Sequence, residues 1–140
     1  MSWKLLALGS AFFAGLTAIF GKLGVEGLNS NLATLIRTVV ILVITVAIVS
    51  LQGDWRLPQK PIEWRPVMFL ILSGIATGLS WLFYYRALQI APASLVAPVD
   101  KLSVAFAIAL GVIFLGESVT PQLLIGGGLV VAGSLVIIWP

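Results

Sequence analysis

The sequence predicts an all-α membrane protein with five transmembrane helices, and three observations point to this fold class. Hydrophobic residues make up 60% of the 140 residues and charged residues only 9%, whereas soluble domains carry about 45–50% and about 25%. The mean hydropathy is +1.14. Five apolar segments each approach the ~20 residues that a helix needs to cross a bilayer. A water-soluble globule is excluded, because so small a chain cannot bury so many apolar side chains.

The residue types on which most enzymes rely are scarce. The chain has no Cys and no His, which excludes thiolate chemistry, zinc ribbons and proton transfer by imidazole. Its five carboxylates lie far apart in the sequence, which argues against paired-carboxylate hydrolysis and a metal cage. The eight basic residues are dispersed, unlike the basic patch of a nucleic-acid-binding protein. We therefore expect a protein that is not an enzyme, uses no cofactor and binds no nucleic acid.

Short connections separate the predicted spans, which cover about residues 3–22, 31–51, 66–88, 94–115 and 121–139. The turn at residues 27–31 predicts a capped start for the second span. Thr120 followed by Pro121 predicts an N-cap and a first helical residue for the fifth span. The one long polar link, residues 52–65, is too short for an extramembrane domain. We expect residues 1–140 to form a single transmembrane domain.

The first span begins beside a basic residue, Lys4, so that a secretory signal peptide is the competing interpretation. The apolar run is longer than the hydrophobic region of most signal peptides, however, and it lacks an Ala-x-Ala cleavage site. We interpret it as a membrane helix, in which Ser10 and Thr17 belong to a face of small and hydroxyl residues.

The second and third spans each present polar or aromatic side chains on one face. Helical spacing groups Thr34, Arg37 and Thr38 in the second span and Trp81, Tyr84 and Tyr85 in the third. Plain helix packing and an aromatic belt at the membrane interface are the alternatives. Because Trp81 lies several residues inside its helix, we favour a position in a cavity.

The fourth span contains two charged residues, Asp100 and Lys101. An ionisable residue within a span is costly and therefore suggests a functional site. Asp100 and, in the second span, Arg37 each lie six residues from a predicted helix start, which is about 9 Å. Both helices start on the same side of the membrane. We therefore expect Arg37 and Asp100 to pair at one depth, with Lys101 leaving one positive charge in excess.

Two prolines allow other interpretations of the fourth span. If Pro98 opens the helix, Asp100 lies in the first turn and Lys101 reaches the interface. Pro92 and Pro98 also bracket residues 93–97, which could be a helix interruption that binds solute or an ordinary loop.

The fifth span carries no charge. Its Gly127 and Ser134 are seven residues apart on one face, as expected of a helix that packs closely against another helix or a second copy.

The distribution of Lys and Arg predicts a cytoplasmic N-terminus and, with an odd number of spans, a C-terminus on the other side. The N-terminal side collects Lys4 together with Arg56, Lys60 and Arg65 of the long link, and the opposite side collects Lys22 and Arg86. Because four residues against two is a small bias, a dual topology is the alternative.

Several motifs point to a known family. They are residues 84–88 (YYRAL), 97–103 (APVDKLS) and 114–117 (FLGE), followed by the glycines of the last span. Together they resemble the EamA-type domain of the drug/metabolite transporter superfamily. The resemblance extends over all five spans and implies a multi-pass protein of the cell (inner) membrane. It further implies transport of small metabolites or drugs by alternating access.

The length of the chain matters for what the resemblance implies about assembly. Most members of this family look like two five-helix halves with inverted topology fused in one chain. A single half therefore implies an antiparallel homodimer, or a heterodimer with a paralogue. The resemblance also places the solute cavity among the first four helices and makes Glu117 a turn-capping residue.

The related small multidrug resistance proteins bind cations and protons through a carboxylate in the first helix. The first span has no charge between residues 5 and 21, so Asp100 is the candidate for proton coupling. The excess positive charge favours an anionic or zwitterionic solute. The predicted solute-binding residues are Arg37, Asp100, Lys101, Trp81, Tyr84, Tyr85, Thr34, Thr38, Ser10 and Thr17. The alternatives are a non-transporting subunit that anchors or stabilises a partner complex, and a flippase for a lipid-linked substrate.

Overall fold

The computed structural model describes residues 2–55 and 63–139, and every regular element in these ranges is an α-helix. In chain order the helices are α1 (Trp3–Gly24), α2 (Ser30–Gln52), α3 (Trp64–Ile90), α4 (Ala93–Asp100), α5 (Ser103–Leu115) and α6 (Pro121–Ile138). With α4 and α5 taken together as Ala93–Leu115, five segments are long and apolar enough to cross a membrane. The all-α membrane fold class is therefore confirmed.

Large apolar side chains lie on the surface of these helices. Phe83, Ile90 and Phe114 are 76%, 86% and 77% exposed. Such a surface suits hydrocarbon as the surrounding solvent, in which helices satisfy their own backbone hydrogen bonds.

The described residues divide into two compact units. Of the described residues, one unit contains 2–22 and 90–139, with most of α1 and all of α4, α5 and α6. The other contains 23–55 and 63–89, with α2 and nearly all of α3. Two residues of the long polar link, Arg56 and Lys60, lie outside the described residues. Their part in the predicted orientation therefore depends on the sequence alone.

The helix starts that the sequence predicts at polar residues are present. The Asn29 side chain accepts a hydrogen bond from the Asn31 N–H at 2.9 Å and caps α2. The Thr120 hydroxyl oxygen accepts from the Leu123 N–H at 3.2 Å, and Pro121 is the first residue of α6. Both caps satisfy backbone donors that no helical carbonyl reaches.

The fourth span differs from the expectation. Residues 93–97 form regular helix, and the interruption comes later, at Lys101 and Leu102 between α4 and α5. Pro98 lies inside α4 and does not open a helix; placing Asp100 in a first turn was therefore wrong, because Asp100 ends α4. A proline within a helix lacks the N–H for the bond to the preceding turn and interrupts the helix nearby.

Within its unit, α6 packs closely against α5. A Cβ atom built on Gly127 would lie 2.7 Å from Cδ1 of Ile108, so only a glycine allows this approach without a shift of Ile108. This close contact is the packing that small residues on one face of a membrane helix allow.

Gly116, which directly follows the last residue of α5, provides a test of the fold. Its φ is 66°, and the N–H of the following Glu117 donates to the Gly111 carbonyl at 3.2 Å. We expect Gly116→Ala to lower the free energy of unfolding by about 1 kcal/mol, because a side chain disfavours this left-handed conformation. Thermal unfolding in detergent would measure the change.

A helical glycine serves as the matched control. A Cβ on Gly126 would meet no atom within 4 Å, so Gly126→Ala should raise the free energy of unfolding by about 0.5–1 kcal/mol. Equal changes in the free energy of unfolding of the two variants would contradict the role assigned to Gly116 in the left-handed conformation.

Candidate solute site

A cationic side chain lies against two aromatic rings in the unit that contains α2 and α3. Arg37 is the eighth residue of α2, about 10 Å from the helix start. The central carbon of its guanidinium lies 3.9 Å from the centroid of the Trp81 ring and 5.1 Å from that of the Tyr85 ring. Both distances are within the ~6 Å range of cation–π contacts. Trp81 and Tyr85 share one face of α3 because they are four residues apart.

The two aromatic rings stabilise the positive charge of Arg37 but do not neutralise it. A cation–π contact stabilises by about 0.5–2 kcal/mol, which offsets part of the cost of a guanidinium in a membrane span. Within the described residues of this unit, no carboxylate forms an ion pair with Arg37. A cation–π contact also occupies no hydrogen-bond acceptor, so the guanidinium N–H donors can bind other acceptors. A carboxylate or phosphate accepts two such bonds in parallel.

Two of the three side chains of this cluster are partly accessible. Tyr85 is 5% exposed, whereas Arg37 and Trp81 are partly buried. Tyr84, also partly buried, has its ring centroid 6.1 Å from that of Tyr85. The arrangement combines a positive charge with aromatic surface, which suits an organic solute that carries an anionic group.

The predicted threonine ligands use their hydroxyl protons within their own helices. Thr34 donates to the Ser30 carbonyl at 2.8 Å, Thr38 donates to the Thr34 carbonyl at 2.7 Å, and in α1 Thr17 donates to the Phe13 carbonyl at 2.9 Å. Such bonds to the preceding turn are common for threonine in helices. Each hydroxyl oxygen can still accept a hydrogen bond. The remaining predicted hydroxyl, that of Ser10, is on an exposed residue of α1.

Asp100 and Lys101 lie together at the interruption of the fourth span. The Lys101 ammonium is 3.2 Å from Oδ2 of Asp100, and the side chains are 52% and 36% exposed. Asp100 ends α4, where the negative end of the helix dipole disfavours a carboxylate. The neighbouring ammonium counteracts that repulsion. The Arg37–Asp100 pair, whose members belong to different units, stays a prediction.

Two further polar contacts hold the ends of helices. In one unit the Lys22 ammonium donates to the Ala91 carbonyl at 3.2 Å, just before α4 begins. In the other the Gln89 amide donates to the Leu28 carbonyl at 2.6 Å and ties the end of α3 to the turn before α2. In the described ranges, no group of three Asp, Glu, His or Cys side chains could hold a metal ion.

Sequence reasoning placed Arg37 and the Trp81–Tyr85 face in the site but did not join them. The signal was present, because an arginine within one span and two aromatic residues four apart in the next are typical cation–π partners. The sequence prediction pairs Arg37 with Asp100 instead, because each lies six residues from its predicted helix start and the two therefore share one depth.

Comparisons with known proteins agree with the membrane fold. The model of the EamA-like transporter family matches residues 1–139. A protein of Sinorhizobium sp. named "Uncharacterized transporter in cobO 3'region" is 50% identical over 136 residues, which are 97% of this chain and 96% of that protein. Human "Solute carrier family 35 member G1" is 33% identical over 129 residues, which are 91% of this chain but only 34% of that protein. No solved structure matches.

Proposed function

The chain belongs to the EamA-like transporter family, and we propose that it carries a small anionic or zwitterionic solute across the cell membrane by alternating access. The observation that carries this proposal is the guanidinium of Arg37, 3.9 Å from the Trp81 ring and within a span. An ionisable group in a membrane span marks a functional site by default. The edge of this guanidinium suits a carboxylate or phosphate, and Trp81, Tyr84 and Tyr85 suit the apolar part of the solute.

The other predicted residues have supporting roles in this proposal. Asp100 carries the proton that couples transport, and Lys101 holds its carboxylate at 3.2 Å. The hydroxyl oxygens of Thr34, Thr38, Ser10 and Thr17 offer acceptors to an ammonium group on a zwitterionic solute.

The proposed transporter is a dimer of five-span chains. Because the number of spans is odd, two copies fused one after the other in a single chain have opposite orientations in the membrane. Two separate copies restore this inverted pair only if they assemble antiparallel. The human relative, of which the chain covers 34%, is long enough for more than one such segment. An antiparallel homodimer is the proposal, and a heterodimer with a paralogue is its variant.

Topology reporters fused to the C-terminus test this assembly. We expect both orientations in one population of cells, because the Lys and Arg bias is four residues against two and small biases orient weakly. As a control, Ser2→Lys adds positive charge on the N-terminal side and should enrich the form with a cytoplasmic N-terminus. A single uniform orientation in the unmodified chain would reject the antiparallel homodimer.

The function itself is tested with purified protein in liposomes. The probes are phthalate as an aromatic anion, phenylalanine as a zwitterion, tetraethylammonium as a cation and undecaprenyl-phosphate sugar as a lipid-linked substrate. We expect saturable uptake of phthalate or phenylalanine above that of empty liposomes and none of tetraethylammonium. No flux of any probe would favour a non-transporting subunit, and movement of the lipid-linked probe alone would favour a flippase.

A further inference from the structure

The interruption of the fourth span has a distinct hydrogen-bond pattern. Lys101 and Leu102 donate their N–H groups to the carbonyls three residues earlier, each at 3.0 Å, and Val104 and Ala105 do the same. This spacing is tighter and geometrically poorer than that of an α-helix, and short stretches of it often mark a hinge. The backbone around Asp100 is therefore the weak point of α4 and α5.

A side chain from α6 reaches this weak point. Ser134 is 4% exposed, and its hydroxyl oxygen lies 2.8 Å from the Pro98 carbonyl oxygen, 36 residues away in the sequence. The same hydroxyl oxygen lies 2.8 Å from the carbonyl oxygen of Val130, one turn earlier in α6. A serine hydroxyl has one proton, so that the two carbonyls compete for it.

We propose that Ser134 is a positioning residue that sets the geometry of the Asp100–Lys101 step by sharing its proton between two helices. When the proton is donated to Pro98, the end of α4 is held against α6. When it is donated to Val130, the end of α4 is released and the serine still has an acceptor. No hydroxyl donor is then left unsatisfied in the membrane, where that would be costly. The two carbonyl oxygens lie at the same distance, so that either can accept the proton, and the proposed hinge therefore has two states.

The role of this hinge in transport rests on the proposed function. Asp100 is the last residue of α4, two residues after the carbonyl that Ser134 holds. A change in the hinge therefore moves the group that we propose to carry the proton. Ser134 acts on transport through Asp100 and not by contact with solute.

Hydrogen–deuterium exchange of residues 98–105 in dodecyl maltoside micelles tests the hinge without any solute. Ser134→Ala is expected to raise the exchange rate about fivefold, the effect of losing one net hydrogen bond. Ser134→Thr retains the hydroxyl and should restore the original rate. Ser134→Cys, a weak donor of similar size, should give an intermediate rate and replaces the alanine variant if that one does not fold.

Thr45→Val is the matched control, because the Thr45 hydroxyl donates only to Ile41 and Leu42 of its own helix. It should leave exchange of residues 98–105 unchanged. Equal exchange in Ser134→Ala and the original protein would overturn the inference, whether or not the protein transports a solute.

Phthalate uptake in liposomes tests the link to transport. We expect Ser134→Ala to lower the maximal rate about fivefold with KM unchanged, and Ser134→Thr to restore it. A raised KM with an unchanged maximal rate would overturn the positioning role, since it would indicate contact with solute. Absence of both phthalate and phenylalanine flux in the unmodified protein would reject the proposed function instead, and the exchange rates would still decide whether Ser134 holds the hinge.

Discussion

Replacing Arg37 by alanine is expected to lower phthalate uptake about a hundredfold while the protein still inserts and assembles. In the proposed site, the guanidinium would supply the charge and the paired donors that recognise an anion. Losing a buried charge-assisted contact typically costs about 2–5 kcal/mol, and each ~1.4 kcal/mol is a factor of ten in affinity. Initial rates of uptake into liposomes with equal protein content would measure the change.

Graded variants separate charge from geometry at this position. Arg37→Lys keeps the charge but loses the planar fork that binds an anion through two parallel hydrogen bonds, so we expect uptake to fall about tenfold. The matched control is Arg86→Ala, since Arg86 is an exposed arginine near the end of α3; its uptake should stay within about twofold, as for most surface substitutions. Normal uptake by a correctly inserted Arg37→Ala protein would remove the proposed site.

Asp100→Asn is expected to abolish uptake that is driven by a pH gradient. Asparagine has nearly the same shape as aspartate but can neither carry a negative charge nor accept a transported proton. Exchange of labelled for unlabelled phthalate without a gradient should persist, because it needs the solute site and no net proton movement. The comparison of gradient-driven uptake with this exchange is the measurement.

Glu117→Gln is the matched control for Asp100→Asn. Glu117 follows the last residues of α5 in the loop before α6, where its N–H caps the Gly111 carbonyl. This role does not need the carboxylate, so gradient-driven uptake should be unchanged. Intact gradient dependence in Asp100→Asn would show that another group carries the proton.

A charge exchange tests the predicted contact between Arg37 and Asp100. Each single reversal, Arg37→Asp or Asp100→Arg, should abolish uptake, and the double variant should recover part of it if the two side chains meet. No recovery of uptake in a well-inserted double variant would indicate that the two side chains do not meet. Arg37 would then interact with its aromatic partners, and Asp100 separately with Lys101 at 3.2 Å.

Much of the fold could be inferred from residue types and spacing. The apolar segments and the polar caps at Asn29 and Thr120 reflect short-range physics, since a span needs about 20 apolar residues and a cap needs an oxygen within a few residues. The membrane fold, the capped starts of α2 and α6 and the family resemblance were accordingly confirmed. The interruption at Lys101 was displaced from its expected position, because a proline weakens a helix without specifying which residue yields.

The identity of contacting partners required three-dimensional packing. Helical periodicity places Arg37 on one face of α2 and Trp81 on one face of α3. It does not predict the contact at 3.9 Å between them. Likewise, nothing local in the sequence joins Ser134 to the Pro98 carbonyl, 36 residues away. Helical spacing orients a side chain about its own axis. Which neighbour it touches depends on how the side chains of two helices fit together, a property of both surfaces at once.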